Sequence, residues 1–162
     1  MKSRIFIGFF FLIFTKLLTA QETELLTNPD FTDGINGWWA YGADISINNG
    51  EVTFDISNEG INPWDIQLGQ GELTLKQGYK YTLCWRAKRD SGTLGFNVGL
   101  GAAPYTLYFY DNSKEYDGNW QESCYVYTHQ DEDVSNVALT VNMGGNFANA
   151  TFDYIRLDEE PI

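Results

Sequence analysis

The sequence predicts an all-β fold, an antiparallel sandwich of two sheets, on three observations. Beyond the first twenty residues no long stretch places apolar residues at helical spacing. Apolar and polar residues instead alternate over short runs, which gives each strand one face for a core and one for solvent. Gly, Asn, Asp and Pro break those runs at intervals that suit tight turns.

Taken in order, Ile45 and Ile47 alternate with polar neighbours and lead into Asn49-Gly50, a dipeptide suited to a hairpin turn. Val52, Phe54 and Ile56 follow, opposed by Thr53 and Asp55, and Ile66 and Leu68 alternate with Asp65 and Gln67. Tyr81, Leu83, Trp85 and Ala87 oppose Thr82, Cys84, Arg86 and Lys88; Leu94, Phe96 and Val98 oppose Gly95, Asn97 and Gly99. Further strands are expected near residues 106–110 and 122–128. Val137, Leu139 and Val141 then oppose Ala138, Thr140 and Asn142, and a last strand covers 150–157. Nine or ten strands at this spacing are what a two-sheet sandwich requires.

The 162 residues, 43% hydrophobic and only 20% charged, suffice for one domain with a proper core and exclude a disordered chain. Lys2 and Arg4 precede an apolar run over 5–14, and Leu18-Thr19-Ala20 closes it before Gln21. This is the order of a secretory signal peptide, with cleavage expected after Ala20. The run is too short to span a bilayer. Retention as an uncleaved anchor is the alternative; no cysteine follows the run, so lipid attachment has no acceptor. The expectation is therefore a signal peptide over 1–20 and a single secreted, extracellular module over 21–162, with no internal repeat or linker and a short acidic tail at 158–162.

Loss of Lys2, Arg4 and Lys16 with the leader takes ten basic residues to seven against twenty-two acidic ones, a net of −15 where the full chain carries −12. Nucleic acid, anionic membranes and acidic polysaccharides are poor partners for that surface, whereas neutral ligands are not. Solubility alone also accounts for an acidic exported protein. Cys84 and Cys124 are the two cysteines. In an oxidising compartment they either close a disulfide or stay as buried thiols, and with His129 as the sole histidine they make a poor metal or thiol-protease set.

Aromatic and amide residues crowd the polar faces: Trp38-Trp39-Ala40-Tyr41, then Asn62, Trp64 and Gln67, then Tyr105, Tyr108 and Tyr110, then Asn142. An indole or phenol face stacks on the C–H bonds of a pyranose, and an amide donates and accepts at once as hydroxyls do. Core packing is the competing use of each single ring, so only the ensemble points to a sugar. Asn97 and Arg86 share the polar faces of their strands and are further candidates to reach a ligand.

A resemblance rests on five segments: Asn28-Pro29-Asp30-Phe31-Thr32-Asp33-Gly34; Gly37-Trp38-Trp39-Ala40-Tyr41-Gly42; Asn62-Pro63-Trp64-Asp65-Ile66-Gln67-Leu68; Ala103-Pro104-Tyr105; and Asn142-Met143-Gly144-Gly145 before Phe152-Asp153. In order and spacing over 25–157 the chain resembles the family 4 and 9 carbohydrate-binding modules. The resemblance implies a jelly-roll, galactose-binding-domain-like β-sandwich that holds one glucan or xylan chain in a cleft across a sheet, beside a glycoside hydrolase partner. It implies stacking platforms at Tyr41, Trp64 and Tyr105 and hydrogen bonds from Gln67 and Asn142. Alternation independently supports Gln67 and Asn142, but gives Trp64 the parity of the core residues Ile66 and Leu68; Pro63 just before it is expected to break the pleat.

The same resemblance implies a structural Ca²⁺ away from the cleft, with Asp30, Gly50 and Asp153 in the places of its ligands. The chain departs from the family pattern at Gly95 and Gly101, where members that grip cellulose-like chains often carry polar side chains, so the ligand stays open between β-1,3-glucan, β-1,4-glucan and xylan. Two other classes stay in view. A glycoside hydrolase needs one suitably spaced carboxylate pair, and none stands out among twenty-two; no nucleophile elbow is present, and His129 is expected in a charged loop. A cell-surface protein-interaction domain would use the same sandwich and the same exposed rings.

Overall fold

Among the described residues the alternating runs become thirteen strands and one 3₁₀ turn. They are β1 (Thr23–Glu24), β2 (Trp39–Tyr41), β3 (Asp44–Asn48), β4 (Glu51–Asp55), the 3₁₀ turn (Pro63–Asp65), β5 (Gln67–Leu75), β6 (Tyr79–Arg89), β7 (Leu94–Gly95), β8 (Asn97–Ala102), β9 (Thr106–Asp111), β10 (Glu115–Tyr116), β11 (Gln121–His129), β12 (Val134–Asn142) and β13 (Ala150–Pro161). The structure is a computed structural model that describes residues 21–90, 94–95, 97–103, 106–112 and 115–162, with Leu94, Gly95 and Asn97 described by backbone alone. The expected leader, Phe96 and Tyr105 lie outside the described residues.

The first sheet runs β11-β6-β13-β4-β3, with β1 also on β13; the second runs β2-β5-β12-β8-β9; β7 and β10 form a separate ribbon. Every pairing is antiparallel. Strands distant in sequence, β6 with β13 and β5 with β12, lie side by side, so the chain crosses repeatedly between layers as a jelly roll does. The Asn49-Gly50 turn takes φ of 52° and 82°, the positive pair that matches the twist of a β3–β4 hairpin.

The residues whose alternation marked a core meet between the sheets. Phe54, Trp85, Ile155 and Leu157 come from the first, Leu68, Val98, Leu139 and Val141 from the second, and all are at most 1% exposed. Each such large side chain contributes about 1.5–3 kcal/mol of burial. Trp85 stacks on Tyr125 at 5.3 Å and its indole N–H donates to the Tyr116 hydroxyl at 2.6 Å, which also bonds Ser123 at 2.7 Å. The polar ends of these rings are thereby satisfied inside the core. Burial pushes the Tyr116 phenol up to about 12.

Two local expectations are corrected. His129 is not in a charged loop: it ends β11, fully buried, with its ring nitrogens bonded to the Tyr127 hydroxyl and the Glu132 carbonyl. The acidic segment 158–162 is no loose tail, because β13 continues to Pro161 and pairs with β6 and β1. Gln70, polar yet 6% exposed, is held by the backbone of Thr27: its Oε1 accepts the Thr27 N–H at 2.6 Å and its Nε2 donates to the Thr27 carbonyl at 3.0 Å. Cys84 and Cys124 stand directly opposite across β6 and β11, Cα to Cα 4.1 Å, and are bonded.

Candidate functional site

Leu68, Val141 and Val98 point into the core, so their strand neighbours face outward, and the register aligns these in rows across the second sheet. One row is Tyr41, Gln67, Asn142 and, by backbone register, Asn97. The next is Trp39, Gly69, Thr140, Gly99 and Tyr110, and a third is Ala138, Gly101 and Leu107. Glycine and small residues make the floor; rings and Leu107 make the sides.

That arrangement leaves a cavity of about 570 Å³ lined by Pro63, Trp64, Gln67, Gly99, Leu107, Tyr110, Thr140 and Asn142, within the size range of small-ligand sites. None of these side chains is charged. A further hollow of about 300 Å³ at Gly101, Ala103, Thr106 and Ala138 adjoins it through Leu107 and Thr140. At the centre the Gln67 Nε2 donates to the Asn142 Oδ1 at 2.6 Å, which fixes both amides and leaves the Gln67 carbonyl oxygen and the Asn142 amino group to meet hydroxyls.

The rings are held by local backbone chemistry. Trp64 sits on the 3₁₀ turn, 59% exposed, because that turn interrupts the pleat and cancels the parity with Ile66 and Leu68. Asp65 fixes the turn: its Oδ2 accepts the N–H groups of Ile61 at 2.7 Å and Asn62 at 2.8 Å. Those bonds, with Asn62 the stronger influence, hold its carboxyl below the usual range. Trp39 lies over Gly69, where a Cβ would stand 2.2 Å from the indole Cζ2, so only glycine lets the ring settle on the sheet. Tyr41 is 64% and Tyr110 48% exposed.

The structure therefore brings Tyr41, Trp64, Gln67 and Asn142 together on one face. Asn97 has its backbone in the same row, and Tyr105 lies outside the described residues. Arg86 does not join them. It belongs to β6 of the other sheet, donates to the Asp153 carboxylate at 2.6 Å and lies over the Trp120 ring at 4.9 Å. Alternation gave it a polar face but could not say which sheet that face was on. Sequence reasoning counts Trp39 and Tyr110 in the aromatic ensemble without assigning them to the cleft, and it passes over Gly99, Leu107 and Thr140. For Trp39 and Thr140 a signal existed: each stands two residues from a chosen one, Tyr41 or Asn142, and so shares its face.

Asp30 and Gly50 are neighbours at a separate corner, and Asp153 lies on β13 with its carboxylate bonded to Arg86. The Ile155 N–H donates to the Pro29 carbonyl at 2.8 Å, which brings β13 against the segment holding Asp30. At Gly50 (φ 82°) a Cβ would stand 3.2 Å from the Asp30 carbonyl oxygen, so glycine keeps that oxygen open. No group of three acidic, His or Cys side chains gathers among the described residues. A cation in this corner would rest on backbone oxygens and on the Asp153 carboxylate, which Arg86 already shares.

Residues 23–151 match the family model described as carbohydrate binding domain, of families 4 and 9. The chain belongs to this family of carbohydrate-binding modules. Among solved structures, the module is similar in fold to a family 4 carbohydrate-binding module at 23% identity and TM-score 0.69, covering 85% of this chain and 100% of that one. It is similar to the second N-terminal cellulose-binding domain of Cellulomonas fimi β-1,4-glucanase C at 22% identity and TM-score 0.69, covering 87% and 97%. It is also similar to the Clostridium thermocellum endo-1,4-β-D-xylanase 10B fragment of a family 22 module and a family 10 catalytic module, complexed with xylohexaose, at 16% identity and TM-score 0.53, covering 78% of the module and 26% of that chain. No curated protein sequence matches.

Proposed function

We propose that the module is secreted and holds a neutral polysaccharide chain, a β-1,3-glucan, β-1,4-glucan or xylan, in the groove of the second sheet without cleaving it. Trp64, Trp39 and Tyr110 stack on sugar rings; Gln67, Asn142 and Thr140 bond hydroxyls and set the chain's orientation. The observation that carries this is the lining of the groove: aromatic, amide and small residues, with no carboxylate and no base among the described side chains. A wall of that kind binds without charge and offers no acid–base pair for hydrolysis. The cellulose-binding and xylohexaose-bound relatives in fold support a β-linked ligand. A groove already shaped in the sheet spends little ordering entropy on binding, and its use is to raise the local concentration of substrate for a glycoside hydrolase partner. Asp30, Gly50 and Asp153 would hold a structural Ca²⁺ outside this groove, where it ties the first segment, the hairpin and β13.

The test is affinity electrophoresis in gels containing laminarin, hydroxyethylcellulose, arabinoxylan or polygalacturonate. At least one neutral polymer retards the module with little effect of salt, polygalacturonate does not, and Trp64→Ala abolishes retardation while circular dichroism is unchanged. Normal retardation of the folded Trp64→Ala variant, or no retardation by any neutral polymer, overturns the reading. Release of reducing sugar from a retarding polymer overturns its non-catalytic part.

A further inference from the structure

The end of the sandwich next to the groove carries apolar side chains that the proposed site does not use. Ile61 is 91% exposed and Phe147 60%. They line, with Tyr41, Asn58 and Glu59, a second cavity of about 540 Å³. Tyr41 belongs to the row of Gln67 and Asn142, so this cavity begins where the groove ends.

The frame beneath these side chains is fixed by backbone. Gly145 donates to the Glu59 carbonyl at 2.6 Å, Gly144 to the Pro63 carbonyl at 2.8 Å and Met143 to the Ile66 carbonyl at 2.9 Å. The loop before β5 is thus zipped to the loop after β12. Gly144 permits this contact, since a Cβ on it would stand 2.2 Å from the Asn62 carbonyl oxygen, and Gly42, after β2, packs equally closely on the same loop, where a Cβ would stand 1.9 Å from the Asp65 carbonyl oxygen. The Ile61 N–H is itself held by the Asp65 carboxylate. An apolar side chain on a loose loop can fold back and hide; on this frame Ile61 stays presented to water, a standing cost that contact with a ligand would relieve.

We propose that Ile61 and Phe147 form a further subsite, a shelf that continues the groove past Tyr41 and takes additional neutral residues of the same glycan chain. The inference rests on the polysaccharide reading of the groove and goes beyond it: part of the affinity for a long chain comes from outside the sheet face, at Ile61 and Phe147. From Ala138 to Asn142 the sheet face spans about 14 Å of strand, which a short oligosaccharide occupies without reaching the shelf. Longer chains reach it and cover Phe147 and Ile61. Glu59 and Asp65 line the cavity without a Lys or Arg among its described residues, so the shelf accepts hydroxyls and repels uronic acids.

The test is calorimetric titration of the module with the tri- and hexasaccharides of the laminari-, cello- and xylo- series. In the series that binds, the hexasaccharide binds about tenfold more tightly than the trisaccharide. Phe147→Ser and Ile61→Ser each lose most of that gain and leave trisaccharide binding unchanged. Equal affinity of wild type for both lengths, or undiminished hexasaccharide binding by both variants, overturns the shelf while the groove stands. Should Phe147→Ser lower the melting temperature, Ile61→Ser, whose side chain is almost wholly in solvent, decides the matter. Failure of wild type to bind any oligosaccharide or polymer overturns the groove reading itself.

Discussion

Gly99→Val tests the groove by adding atoms rather than removing contacts. Gly99 lies between Thr140 and Tyr110 on the floor, and a Cβ there meets the Phe109 carbonyl oxygen at 3.3 Å, Tyr110 Cδ2 at 3.7 Å and Leu107 Cδ2 at 3.8 Å. The new Cβ is tight against the Phe109 carbonyl, which must give by a few tenths of an ångström, while a β-branched residue otherwise suits a strand better than glycine does. Its methyl groups, however, stand where a sugar ring would rest and lift the ligand by about 3.5 Å, one carbon–carbon contact distance. Hydrogen bonds to Asn142 and Thr140 close only within about 3.2 Å. Losing two at about 1 kcal/mol each and one stacked ring at about 1 kcal/mol weakens binding by about 3 kcal/mol, roughly a hundredfold. The assay is calorimetry or gel retardation with the polymer that wild type binds best. A Gly99→Val protein with unchanged circular dichroism and unchanged affinity refutes the placement of the ligand on this floor.

Three further outcomes are expected. Reduction of the Cys84–Cys124 bond, which spans 40 residues of sequence, removes about 4 kcal/mol of chain-entropy stabilisation and lowers the melting temperature by roughly 10 °C; an unchanged melting curve with dithiothreitol would refute this. Tyr116, held at about 12 in the folded chain by burial against an ordinary 10, stays protonated when the unfolded chain would ionise. Its stabilisation of about 3 kcal/mol is whole below pH 10 and is lost as pH rises through 12; Tyr116→Phe flattens that alkaline limb of the stability curve, and an identical limb counts against it. About 10 mM CaCl₂ in place of EDTA raises stability by about 1.4–2.7 kcal/mol if the corner binds as extracellular modules do; Asp153→Ala removes the gain, and equal melting in both buffers rules the ion out.

The sandwich was legible because its signal is local. Tyr81, Leu83, Trp85 and Ala87 alternate, and all four are buried. Hairpin Asn49-Gly50 is equally local. What remained hidden needed pairing across the chain. The polar face of Arg86 is real, but only the neighbours of β6 decide that it looks away from the groove. In the sequence Gly101 reads as a missing side chain and Gly69 and Gly99 carry no site reading, whereas their role is the space above them, set by Leu107, Trp39 and Tyr110 from other strands. Trp64 shows the opposite case: periodicity placed it inside, and the Pro63 turn placed it outside. His129 reads as a loop residue because its neighbours are charged, yet it ends a strand and two hydrogen bonds let it be buried.

The short segment from Thr23 to Thr27 touches both layers. β1 adds a rung to β13 of one sheet, and four residues later Thr27 is gripped by the side chain of Gln70, which imitates a strand edge on the other. This makes the segment a stitch through the sandwich: for the layers to slide past each other, it must tear first. Strain placed on one sheet therefore reaches its companion through this seam.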